Sequence, residues 1–174
     1  KGLGKFEEAI SSYNRAIEIK PAYMEAHYNS GNTIDRVGKV KEAIASYKKA
    51  IVLMPDYPEV YNNLGNIHNK LGNYEIAITN YNKVIQLRPN HAEAHSNLGA
   101  TLHELGDFEI AINSHNKAIN LKPTLSEAHN NLGITLNDFG KHEEALDSFN
   151  KAIELKPDYA EAYNNFGVAL NELG

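Results

Sequence analysis

The chain has 174 residues, 42% of them apolar and 9% aromatic, with no cysteine. That much apolar material excludes wholesale disorder, and the missing cysteines exclude disulfides and thiolate metal sites. The net charge of −5 is uneven: residues 1 to 91 carry 12 Lys/Arg against 9 Asp/Glu and residues 92 to 174 carry 5 against 13, with no continuous basic stripe for a nucleic-acid backbone.

The helix-breaking residues recur at a spacing of 34: Pro21, Pro55, Pro89, Pro123 and Pro157; Gly31, Gly65, Gly99, Gly133 and Gly167; and Gly4, Gly38, Gly72, Gly106, Gly140 and Gly174. Such regularity calls for a repeat architecture. In chain order, residues 1–23 read as the second helix of a pair, closed by Pro21. Full helix pairs follow at 24–57, 58–91, 92–125 and 126–159, and residues 160–174 read as a first helix without its second. The sum is ten helices in one continuous domain.

Residues 58–91 show how each pair forms. Val60, Tyr61, Leu64 and Leu71 follow helical spacing, with His68 as the exception, and Gly72 stops the helix. A second helix carries Ala77, Ile78, Tyr81, Val84, Ile85 and Leu87 on one side, and Pro89 ends it. Numbering this period 1 to 34, position 8 is always glycine and position 20 always alanine, so small side chains are expected to face one another where the helices cross. Tyr13, Tyr47, Tyr81, His115 and Phe149 fill position 24. One pair cannot bury that face alone, so the pairs must stack into a solenoid.

A first helix bearing Leu-Gly, a second bearing Ala, an aromatic and a further Ala, and a closing Pro make up a specific pattern. His129, Leu132-Gly133, Ala145, Phe149, Ala152 and Pro157 carry it in one repeat. The chain resembles the tetratricopeptide repeat family over essentially its whole length, most like the asparagine-ladder arrays of protein O-GlcNAc transferases. The resemblance implies an all-α solenoid forming a right-handed superhelix, with first helices lining a concave groove. The repeat at 24–57 departs most, with Ser30 in place of Leu and Val40 in place of an aromatic, and is expected to open first.

The eight histidines invite a metal or catalytic reading. His27, His95, His129, His68, His115 and His142 fall where other repeats carry apolar or aromatic residues, so packed rings are expected, with lowered pKa values and stability lost below the unfolded value of ~6.5. His91 and His95 lie four apart, but HAEAH lacks the glutamate that a zincin helix places after its first histidine, and His91 falls before the helix. No nucleophile elbow or phosphate-cradling loop occurs. The expectation is therefore a protein that is not an enzyme, with no metal and no cofactor.

The groove positions implied by the resemblance are rich in asparagine. Position 6 is Asn29, Asn63, Asn97, Asn131 and Asn165; position 5 includes Tyr28, Asn62 and Asn130; position 9 includes Asn32 and Asn66; position 12 includes Asn69. Asparagine is a mediocre helix former, so propensity does not explain the rows. An amide complements the peptide group, and rungs ~10 Å apart would meet an extended chain at about every third residue. The alternative is that position 6 is solvated or hydrogen-bonds between repeats.

Position 13 runs Arg36, Lys70, Glu104, Asp138, Glu172, a gradient that would orient acidic peptide residues toward the N-terminal repeats. Position 2 is glutamate throughout, which complements the helix dipole. The carboxylate clamp of chaperone-binding relatives needs lysine or arginine at positions 2, 5 and 6, so capture of a heat-shock protein C-terminus is disfavoured.

The expected function is a scaffold binding a protein or peptide in this groove, with no nucleic-acid and no membrane partner. Two rivals stand: a substrate-recruiting segment of a larger enzyme such as a glycosyltransferase, and a structural array joined head to tail through residues 1–23 and 160–174. A regular continuation from Gly174 to Lys5 allows such joining, and equally a fragment of a longer array. The longest aliphatic run, Ala50 to Met54, is far short of the ~20 residues of a membrane span. A cytoplasmic location is expected, although a chain beginning at Lys1 leaves a removed leader open.

Overall fold

The computed structural model describes residues 3–174, and the described chain is all-α. It consists of α1 (Leu3–Ile19), α2 (Met24–Arg36), α3 (Val40–Leu53), α4 (Pro58–Lys70), α5 (Tyr74–Leu87), α6 (Ala92–Glu104), α7 (Phe108–Leu121), α8 (Ser126–Asp138), α9 (His142–Leu155) and α10 (Ala160–Leu173). The helices form two compact units, one running to Ile67 and the other from His68 to Gly174.

Local sequence sets each boundary. Gly38, Gly72, Gly106 and Gly140 all have positive φ, between 72° and 81°, where a side chain would be strained. At Gly38 the turn is closed by two backbone bonds, Gly38 N–H to Asp35 O at 2.9 Å and Lys39 N–H to Ile34 O at 3.1 Å. These satisfy the terminal carbonyls that a helix end leaves open. The second helices stop at Leu53, Leu87, Leu121 and Leu155 because the next residue precedes proline and is driven extended, φ near −140° in each case. Gly4 shares the turn register but lies inside α1, without a positive φ.

In the first unit Met24, Ile34, Ala43, Tyr47, Ala50, Val60, Leu64 and Ile67 form one core, with Ile10, Tyr28, Ile51 and Tyr57 packed on it. The second unit has two cores. One gathers Leu132, Leu136, Ala145, Phe149 and Ala169, and the other Ala92, Ala118, Leu125 and Ala128. Tyr47 and Phe149 are each 1% exposed, and rings so enclosed contribute roughly 1.5–3 kcal/mol apiece.

The helix crossing differs from the expected meeting of small side chains. A Cβ on Gly31 would stand 2.8 Å from Tyr47 Cε1, and one on Gly133 would stand 2.6 Å from Phe149 Cε1. The glycine makes room for the large ring of the second helix. The alanine of that helix, Ala43 or Ala145, is itself fully buried.

Candidate functional site

The first helices α2, α4, α6 and α8 bury their glycines, Gly31, Gly65, Gly99 and Gly133, and turn the asparagine register the other way. Asn29, Asn63, Asn97, Asn131 and Asn165 are all half-buried, neither enclosed in a core nor free in solvent. Thr33, Thr101 and Thr135 each donate a hydroxyl at 2.9 Å to the backbone carbonyl of the asparagine four residues earlier.

In the first unit the amides are knitted to the core. Tyr47 donates its hydroxyl to Asn32 Oδ1 at 2.7 Å, and Asn63 Nδ2 donates to the same oxygen at 2.8 Å and to the tyrosine oxygen at 3.4 Å. Burial pushes the Tyr47 hydroxyl well above its ordinary pKa, so it remains a donor. Tyr28 packs edge-on to Tyr57, with ring centroids 5.2 Å apart, and its ring serves the core more than the face. Asn62 and Asn66 are half-buried, and Asn62 Oδ1 is enclosed without a partner among the described residues. Arg36 is exposed, with its guanidinium 5.0 Å from the centre of the Phe6 ring.

In the second unit Asn69 hydrogen-bonds Tyr81, whose hydroxyl burial also raises, and Lys70 projects into solvent. Asn131 Nδ2 reaches Ser96 Oγ at 3.5 Å, and Asn165 Nδ2 donates to Asn130 Oδ1 at 3.1 Å. Asn130 is fully buried, so it supports Asn165 and is not presented to a ligand. The structure thus brings together Asn32 with Asn63 and Asn130 with Asn165, while Asn29 and Asn97 hold the same register on α2 and α6. The partners supplied by Tyr47 and Ser96 were not among the expected site residues. A core tyrosine next to an amide row was the available signal.

The histidines divide differently from the expectation of uniformly packed rings. Only His115 is enclosed, at 0% exposure, and desolvation lowers its pKa to about 3, with a smaller contribution from His103. His27, His95 and His129 are half-buried and place Nε2 3.0 Å from the carbonyls of Pro21, Pro89 and Pro123. Tyr61 does the same for Pro55 through its hydroxyl at 2.9 Å. His27, Tyr61, His95 and His129 make the same contact because both residue types carry a ring and a donor at its tip. His91 caps α6, its Nδ1 accepting from Ala94 N–H at 3.1 Å, and no metal-like cluster of three ligands occurs among the described residues. Beside it, Lys122 lies 2.6 Å from Glu93 and holds that carboxyl below its ordinary range.

The TPR repeat family model matches residues 3–34, 37–72, 65–106, 101–138 and 135–174. Among solved structures, MamA is 29% identical over 91% of this chain and 92% of its own, with a TM-score of 0.81. YrrB, described as a TPR protein with an unusual peptide-binding site, is 25% identical over 93% of this chain and 84% of its own, TM-score 0.77. TTC0263, a thermophilic TPR protein in Thermus thermophilus, is 25% identical over 97% and 92%, TM-score 0.77. Curated proteins yield no match. No helix among the described residues is long and apolar enough to cross a membrane.

Proposed function

The chain belongs to the tetratricopeptide repeat family, and on that premise we propose that it is an interaction module whose first-helix faces hold an extended peptide or partner segment. The observation that carries the reading is the asparagine row. In Asn63, Asn131 and Asn165 the amide nitrogen donates sideways to the preceding repeat, which fixes the side chain and leaves its oxygen to accept from a peptide N–H. The sideways bonds and a ligand role are compatible, because one amide serves both. Each such bond contributes a net ~0.5–1.5 kcal/mol, enough in series for binding with little sequence preference. The peptide-binding site named for YrrB supports the same class of ligand.

The test replaces Asn29, Asn63, Asn97, Asn131 and Asn165 by Ala together and measures binding to a random extended-peptide library by fluorescence anisotropy. The expected result is a loss of at least about tenfold with helical circular dichroism retained, as two or more lost hydrogen bonds require. Retained binding would sink the reading. A recruiting role within a larger enzyme would use the same face, and the flanking reading frame discriminates it.

Head-to-tail association is a second reading, favoured by the exposed apolar residues Tyr163, Val168, Leu170 and Leu173 on α10. Sedimentation over a wide concentration range checks it, and a constant monomer mass eliminates it. Of the segment proposed to meet α10, residues 1 and 2 lie outside the described residues.

A further inference from the structure

The second unit contains a pocket beside Asn131 of the asparagine row. It measures about 120 Å³ and is lined by Ala100, His103 and Glu104 of α6 and Asn131, Ile134 and Thr135 of α8. The repeat register explains why it is open. In the first unit the Tyr47 hydroxyl lies between two amides, bound to Asn32 and Asn63. One period position for another, those three residues correspond to His115, Ala100 and Asn131. Imidazole lacks the outlying hydroxyl and alanine lacks the amide, so the plug is missing. His115 is left with 0% exposure and neither ring nitrogen hydrogen-bonded among the described residues.

The groups around this volume are acceptors. His103 Nε2 lies 3.4 Å from Asp138 Oδ2, which draws the ring proton to that nitrogen and leaves Nδ1, buried and without a partner among the described residues, with a lone pair. Asn131 uses its nitrogen on Ser96 and so offers its oxygen. Thr135 spends its proton on the Asn131 carbonyl. Glu104 adds a carboxylate, exposed and touched only distantly by the Tyr74 hydroxyl at 3.4 Å. Among the described residues no lysine or arginine pairs with Glu104 or Asp138. Ala100 and Ile134 supply apolar walls suited to methylene groups.

We propose that this pocket is a side-chain subsite that takes the ammonium or guanidinium tip of a lysine or arginine in a bound peptide. The proposal rests on the interaction-module reading and adds selectivity to it. Donors on the ligand complement unpaired acceptors on the protein, negative charge complements positive, and the stem of the side chain lies against Ala100 and Ile134.

The test is an NMR titration of the full chain, ¹⁵N-labelled, with the N-acetyl N-methylamides of lysine, arginine, norleucine and glutamate. The lysine and arginine probes are expected to shift the amides of Ala100, Glu104, Asn131, Ile134 and Thr135 to saturation, with norleucine and glutamate giving neither. Glu104→Gln is expected to weaken binding about fivefold, the size of one partly exposed ion pair. The Ala100→Asn/His115→Tyr double variant restores the plug of the first unit and is expected to abolish the shifts while keeping the dispersed spectrum. Equal shifts with norleucine, or unchanged lysine binding in both variants, overturn the subsite. Peptide binding that survives plugging without any lysine or arginine preference also overturns it, leaving the groove reading intact. Saturable lysine binding in a chain whose five-alanine variant still binds peptides supports the subsite and removes the asparagine reading instead.

Discussion

His115 lies against Gly99, its Cε1 2.7 Å from the point at which a Cβ on that glycine would stand. Tyr47 meets Gly31 and Phe149 meets Gly133 in the same way, so the contact belongs to the repeat and not to one ring chemistry. Gly99→Ala and Gly133→Ala are therefore expected to destabilise by about 1–3 kcal/mol, the range for overpacking a core, despite alanine's better helix propensity. Gly167, with nothing within 4 Å, is the control, and Gly167→Ala is expected to stabilise by up to about 1 kcal/mol. Urea midpoints at unchanged slope check both directions.

The His115 ring should also make stability depend on pH. Folded, it stays neutral down to about 3; unfolded, it protonates near 6.5. Between those values the unfolded chain binds more protons, so the contribution is intact above 6.5 and is lost as pH falls below it. From pH 7.5 to 5.5 the expected loss is about 1.4 kcal/mol. In His115→Phe, which installs the ring type of Phe149, most of this dependence should vanish in urea melts at the two pH values. A variant as pH-sensitive as the parent contradicts the account.

The period made the helix pairs, their glycine turns and their proline stops legible, because backbone conformation at Gly72 or before Pro89 follows from local chemistry alone. The asparagine register was equally visible. What each amide touches was not, since Asn63 meets Asn32 and Tyr47 only after α2, α3 and α4 have packed. His115 and His95 look alike in a sequence, yet one is enclosed by α6 and the other reaches a carbonyl at the surface. The pocket at Ala100 is legible only by comparing two repeats side by side.

The contact of His95 Nε2 with the Pro89 carbonyl predicts which substitutions the position tolerates. Tyr61 makes the equivalent bond, so His95→Tyr is expected to change stability by less than about 0.5 kcal/mol. His95→Phe keeps the ring but loses the donor and is expected to cost about 0.5–1.5 kcal/mol. A pair of thermal melts separates the two, and equal effects would show that the hydrogen bond contributes nothing.

Ser30 is 2% exposed at the register where Leu64 and Leu132 are buried. A hydroxymethyl there buries far less apolar area than a leucine, so the 24–57 repeat is expected to open at lower free energy than 126–159. Native-state amide exchange, resolved by helix, checks this by comparing α2 with α8. Uniform protection along the chain would contradict it.

Asn32 Oδ1 accepts two hydrogen bonds, at 2.7 Å from Tyr47 and 2.8 Å from Asn63. Asn32→Ala strands a buried hydroxyl as well as an amide, so the expected cost is about 1–3 kcal/mol. Tyr47→Phe alone leaves Asn32 with its second donor and costs less, about 0.5–1.5 kcal/mol. The pair Ile134 and Phe149 fills the same two positions with apolar groups, which shows that the fold accepts a dry version of this contact. Asn32→Ile/Tyr47→Phe should therefore be less destabilising than the sum of its single variants, with a coupling energy of about 0.5–3 kcal/mol in a double-mutant cycle. Strict additivity would mean that the tyrosine and the asparagine do not act as one unit, and the asparagine face would then be free to change without consequence for the core beneath it.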